Sequence, residues 1–151
     1  MSSDALVNAV ARWFEHDFPC RRYVREKELQ TELKTALGQW IQENYPDWKL
    51  QNGQRKFIRL FGWWLETDLE LRHSRTRAVI PIELKLSKKN YEYTVLHAMG
   101  QALYCSQKTG KAIALVVDAG RGDFRRSPHE RKLLVGLWEK LGVRLCVKKV
   151  D

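Results

Sequence analysis

Long apolar runs are missing from this 151-residue chain. None approaches the ~20 residues that a bilayer-spanning helix needs, so such a helix is excluded and no membrane partner is expected. Cysteine is scarce. Cys20, Cys105 and Cys146 are far apart and odd in number, which fits neither a disulfide framework nor a C-x-x-C zinc pattern. They read as reduced thiols filling apolar space, and a cytoplasmic setting is expected from them. The opening Met1-Ser2-Ser3-Asp4 has neither the basic region nor the apolar run of a secretory signal. Linkers, low-complexity stretches and internal repeats are also missing. Acidic residues are the last shortage, 18 against 27 basic ones for a formal charge of +9. That balance favours a polyanion, of which nucleic acid is the commonest. An acidic protein partner, or solubility alone, would use the same charge.

What is present is an ordinary globular composition, 44% hydrophobic and 30% charged. One domain covering 1–151 is expected, large enough to bury a core unaided. Leu6, Val7, Val10, Trp13 and Phe14 form a helical stripe over Asp4 to His16, with Ser3 or Asp4 as N-cap. A second helix is expected from Arg25 to Glu43 on Leu29, Leu33, Ala36, Leu37, Trp40 and Ile41. Glu26 falls on that stripe. It is either a core-facing acid in need of a partner or an exposed first-turn residue favoured by the helix dipole.

Trp48 to Leu60 carries only a turn signal at Asn52-Gly53 and a short strand candidate at Lys56 to Leu60. Phe61, Trp63 and Trp64 around Gly62 read as core, with base stacking as the minor alternative. Leu65 to Leu71 and Ala78 to Leu86 alternate like strands, joined by a polar turn at His73 to Thr76. Pro81 demands an edge-side or bulged position. A third helix, Tyr91 to Lys108, puts Val95, Leu96, Met99, Ala102 and Leu103 on one side and His97, Gln101 and Tyr104 on the other. Ala112 to Val117 is a strand covered on both faces. Ser127-Pro128-His129-Glu130 is a capping box that opens a fourth helix burying Leu133, Leu134, Leu137, Trp138 and Leu141. Val143 to Val147 is the last strand. A meander feeding a crossover gives an α/β fold with a central mixed sheet flanked by helices.

Chemistry concentrates between Asp68 and Lys85. Alternation puts Glu83 and Lys85 on one strand face, about 7 Å apart along the strand. Paired as a hairpin, the segments would gather Asp68, Glu83 and Lys85 at one sheet end, a constellation suited to a divalent metal and a phosphodiester. Mg²⁺ takes hard oxygen ligands, commonly one or two carboxylates completed by water and phosphate oxygens, and Asp68 with Glu83 can supply the carboxylates. As a plain hairpin, Glu83 and Lys85 would be a surface ion pair worth under about 1 kcal/mol.

An acid on one strand, Glu83-Leu84-Lys85 on the next and the order α-β-β-β-α-β together resemble the PD-(D/E)xK nuclease superfamily over about Arg25 to Asp118. Thr67 stands where that motif often has proline before its Asp. The resemblance implies a restriction-endonuclease-like αβββαβ core, with 1–20 as an N-terminal helical extension and 127–151 as an added helix and strand. It implies a metal-dependent nuclease acting on DNA, using Mg²⁺, or Mn²⁺ in its place. Asp68 and Glu83 would bind metal, with Glu26 at a second metal or behind the first. Lys85 would orient the attacking water or stabilise the transition state, and Gln101 would be an accessory residue. Arg21, Arg22, Lys88, Lys89, Arg125 and Arg126 are the expected phosphate contacts. Small size without a separate recognition domain favours a homodimer or a place in a larger complex. The competing expectation is a non-catalytic nucleic-acid-binding or assembly subunit that keeps the fold.

Overall fold

In the computed structural model, which describes residues 2–120 and 127–150, the first apolar stripe folds as α1 (Ser3–His16). Its N-cap is Ser2, whose side chain accepts the Ala5 N–H. The expected caps, Ser3 and Asp4, instead lie in the first turn, where Asp4 suits the positive end of the helix dipole. In α2 (Glu26–Asn44) the residues Leu29, Leu33, Leu37 and Ile41 are buried. Both helices cover one face of a five-stranded sheet built from β1 (Trp48–Asn52), β4 (Leu69–His73), β5 (Val79–Ser87), β6 (Ala112–Asp118) and β7 (Val143–Lys149). The remaining strands, β2 (Ile58–Leu60) and β3 (Trp63–Leu65), form a separate hairpin inserted between β1 and β4. On the opposite face, α3 (Tyr91–Thr109) packs on β5 and β6, and α4 (Pro128–Leu141) on β7.

Spatial order in the sheet is β1-β4-β5-β6-β7. The β1–β4 and β4–β5 pairs are antiparallel, while β5–β6 and β6–β7 are parallel. The fold is therefore the expected mixed α/β architecture, and α2-β1-β4-β5-α3-β6 repeats the αβββαβ order. Leu69, Leu71, Ile80, Ile82, Leu84, Ile113 and Leu115 pack under α1 and α2. The other face uses smaller residues: Ala112, Ala114 and Val116 meet Ala98, Ala102 and Cys105 of α3. Such small side chains let helix and sheet approach closely.

Pro81 lies on the central strand β5, opposite Glu70 of β4. The N–H groups of Leu84 and Leu86 point to the β4 side, so by alternation the Pro81 nitrogen faces β6. Pairing with β6 begins only at Ile82, and the missing donor costs no ladder bond.

Several expectations are corrected. Leu65 to Leu71 is not one strand, because Leu65 ends β3 and Leu69 starts β4. Trp48–Asn52, unread beyond its turn signal, pairs along the whole of β4. The aromatic cluster is not core: Phe61 is 88% exposed, Trp63 74% and Trp64 47%. On α3, Leu96 is exposed and the buried residues are Ala98, Ala102, Cys105 and Ser106. Its sheet-facing stripe is thus rotated from the one expected. The capping box at Ser127 and Glu130 forms, but α4 buries none of its residues fully, and Leu133 and Leu141 are exposed. An amphipathic stripe names a face without saying how deeply the neighbouring layer covers it.

At the base of the inserted hairpin, Gly53 N–H donates to the Asp68 carbonyl and Gln54 N–H to the Thr67 hydroxyl. A Cβ on Gly53 would run into the Thr67 carbonyl and hydroxyl. Gly53→Ala is therefore expected to lower stability by about 2 kcal/mol or more, read as a lower urea midpoint. Gly38→Ala is the control. It lies inside α2, where the added carbon finds Leu50 at an ordinary 3.8 Å, and it should be neutral or stabilising by up to about 1 kcal/mol.

Candidate active site

Strand β5 outruns its neighbour. The β4 ladder ends where Leu69 meets Ile82, whereas β5 continues to Ser87. On that side the N–H groups of Leu84 and Leu86 have no strand to bond. A buried donor left unpaired costs roughly 1–3 kcal/mol. Two acids take the place of the missing strand. Asp68 Oδ2 accepts the Leu84 N–H at 2.8 Å, and Glu26 Oε2 accepts the Leu86 N–H at 3.1 Å. Glu26 reaches from the first turn of α2, so its position on the core-facing stripe does bring it to a partner in the sheet. Each acid keeps a second oxygen beyond the one given to the backbone.

Asp68 immediately precedes Leu69, which pairs with Ile82, so Asp68 stands opposite Glu83 and on the same sheet face. Glu83 is only 3% exposed. Lys85, two residues along the same face, brings Nζ to 3.1 Å from Glu83 Oε1. Burial first, and the neighbouring Asp68 second, push the Glu83 carboxyl up to about 8 against the opposing pull of Lys85. Glu83 therefore holds a proton more readily than an ordinary carboxyl. Burial pulls Lys85 down, but Glu83, Glu26 and Asp68 together outweigh it and hold the ammonium above the usual lysine value. One ammonium thus sits among three carboxyl groups, and the cluster has room for more positive charge.

The floor of this cluster is α3. Burial, then Glu83 and Asp68, push the Cys105 thiol up to about 12, so it is a neutral filler there rather than a nucleophile. Among the described residues, no group of three or more His, Cys, Asp or Glu is placed to hold a metal ion.

The remaining expected residues scatter. Gln101 Oε1 is buried and accepts no hydrogen bond, and the side chain lines an apolar groove with Leu60, Trp63, Trp64 and Tyr104. Arg21 is committed elsewhere. Its guanidinium donates to Glu32 at 2.9 and 2.7 Å and lies 4.6 Å from the Tyr23 ring centre, so it braces the entry to α2. Arg22, Lys88 and Lys89 are exposed, and the two lysines directly follow β5. Arg125 and Arg126 lie outside the described residues.

Glu70 lies inside the alternating stretch Leu65 to Leu71, and nothing in that pattern singles it out. It is fully buried and accepts from Gln51 at 2.5 Å, Gln54 at 3.2 Å and Arg72 at 3.1 Å. Through Gln54 it ties the inserted hairpin to the sheet. Its partners come from the stretch whose pattern was weakest, so only the β1–β4 register reveals it.

The proton on Glu83 sets a pH dependence. A carboxyl whose folded pKa is raised stabilises the fold below its unfolded value near 4.5, and that contribution is lost as pH rises through about 8. In EDTA the melting temperature should fall between about pH 5 and 8. Glu83→Gln should flatten that slope and melt higher than the parent at pH 8. An unchanged slope in the variant would place the titration elsewhere.

The sequence matches no protein-family model and no curated protein. Among solved structures, the chain is similar to SfsA of Pyrococcus furiosus, solved in complex with Ca²⁺, with 10% identity and a TM-score of 0.47. The likeness covers 83% of this chain and 59% of that one.

Proposed function

We propose that this protein is a metal-dependent nuclease that hydrolyses phosphodiester bonds, with DNA as the expected substrate. The observation that carries the reading is the convergence of Asp68, Glu83 and Lys85 on one sheet face, with Glu83 buried and beside a second carboxyl. Close carboxylates in a dry site cannot both ionise cheaply, and a divalent cation relieves that cost.

The donor set fits the group. Asp68 and Glu83 offer hard oxygens, and Mg²⁺ or Mn²⁺ commonly uses one or two carboxylates completed by water and phosphate oxygens rather than a full protein cage. When bound, such an ion lowers the pKa of a coordinated water and offsets charge on the phosphate oxygens. The chain's own residues do the rest. Asp68 and Glu83 would hold the ion, Glu83 in its ionised form. Lys85 Nζ, fixed by Glu83 and charged throughout, can donate to a non-bridging phosphate oxygen or hold the attacking water in line. Glu26 keeps the end of β5 in place and adds negative charge behind Lys85. Lys88 and Lys89 provide exposed positive charge for the adjoining phosphates.

Cleavage of supercoiled plasmid and of labelled single- and double-stranded oligonucleotides tests this reading. Cutting should require Mg²⁺ or Mn²⁺ and stop in EDTA. Lys85→Ala and Asp68→Asn should each lower the rate by about 100-fold or more without loss of fold. The asparagine can still accept the Leu84 N–H, so the second variant isolates the charge. No cleavage of any substrate, or equal cleavage by Lys85→Ala, would overturn the catalytic reading in favour of a non-catalytic binding subunit.

A further inference from the structure

The chain leaves the sheet after β1, runs out through the β2–β3 hairpin and returns directly to Asp68. The hairpin is thus an arm rooted at the proposed site. Its base is pinned by Gly53 to Asp68, by Gln54 to Thr67 and by Gln54 to Glu70. At its tip the two-residue turn Phe61-Gly62 has positive φ at both positions, 47° and 87°. A type I′ turn requires this, and Asn-Gly is its favoured sequence. A phenylalanine there is a strained backbone outlier. Its ring gains no compensating burial, since Phe61 is 88% exposed. A large apolar ring is thus held outward at the arm's most strained position.

The neighbouring residues share one chemistry. From Arg55 to Leu65 the sequence has three basic residues, Arg55, Lys56 and Arg59, all exposed, and no acid. Arg59 lies 5.9 Å from the Trp64 ring centre, directly opposite it in the hairpin. Trp63 borders the groove that holds the unpartnered Gln101 Oε1. Exposed rings interleaved with cations suit unpaired nucleobases, which offer a π-face to the ring and a phosphate to the cation. A paired duplex hides those faces. An orphaned amide oxygen also suits an exocyclic amino group of a base.

We infer that the β2–β3 hairpin is a stacking arm that holds unpaired nucleotides beside the Asp68–Glu83–Lys85 site, so that the substrate is single-stranded, frayed or branched rather than continuous duplex. The inference deepens the nuclease reading and rests on it for the identity of the site. Its test needs no catalysis. Binding of an oligothymidylate and of a blunt duplex of equal length is measured in EDTA by fluorescence anisotropy, for the parent, Phe61→Asn and Trp63→Ala.

Phe61→Asn suits the turn better than the parent residue, so it should melt at the same temperature or higher while binding the single strand about tenfold more weakly. Trp63→Ala should act in the same direction, and duplex binding should change in neither variant. Unchanged single-strand binding, or equal weakening on both substrates, would overturn the stacking arm. So would hairpin-dependent self-association in place of any effect on DNA. If plasmid cleavage fails while this discrimination holds, the arm stands and the hydrolytic reading falls. Cleavage without discrimination gives the reverse.

Discussion

Everything in the candidate site depends on one mismatch of length: β5 extends past the end of β4 and leaves two N–H groups facing an open side. In a longer sheet another strand would bond them. Here Asp68 and Glu26 do so with carboxylates, charge-assisted acceptors stronger than a carbonyl. The same bonds fix both acids to the strand that carries Glu83 and Lys85. Structural need and chemical placement are met by the same two side chains, and this is why the cluster is rigid before any ligand arrives.

That placement has a cost in stability. Glu83 is held where its charged form is disfavoured by burial and by Asp68, and Lys85 offsets the cost only in part. Small residues on α3 and β6 bring the helix down close to the carboxyl groups, so water cannot solvate them freely. A carboxyl held where its charge is disfavoured is poorly balanced, and under the proposed reading a bound cation would restore that balance, in keeping with the trade of stability against function at active sites. The inserted hairpin shows the same pattern at Phe61, where strain and exposure coincide without a structural return.

Much of the architecture was legible because periodicity is a local property. The α1 and α2 stripes, the alternation through Glu83 and Lys85, the uninterrupted Ala112 to Val117 run and the capping box at Ser127 each follow from spacing alone. The facing of Asp68 did not, because it depends on the register between β4 and β5, which no local pattern encodes. Trp48–Asn52 was obscured by its shortness, and its strand character comes from pairing with β4. Glu26 was half legible: helical phase aimed it inward, but only the exposed end of β5 supplied its partner. The aromatic hairpin was misread for a definite reason. Large rings are usually buried, and sequence has no means of showing that this insertion packs on the α3 face through Phe57, Ile58 and Leu65 while its tip stays exposed. The leucines of α4 were misread similarly, since a stripe predicts a face but not the extent of its cover.

A crystal structure grown with Mn²⁺ tests the central claim most directly, since the anomalous signal locates the ion independently of any activity. A peak is expected between the Asp68 and Glu83 carboxylates, with Lys85 alongside, and it should vanish in Asp68→Asn. Saturating Mn²⁺ with no peak there, or a peak that survives in Asp68→Asn, would contradict it.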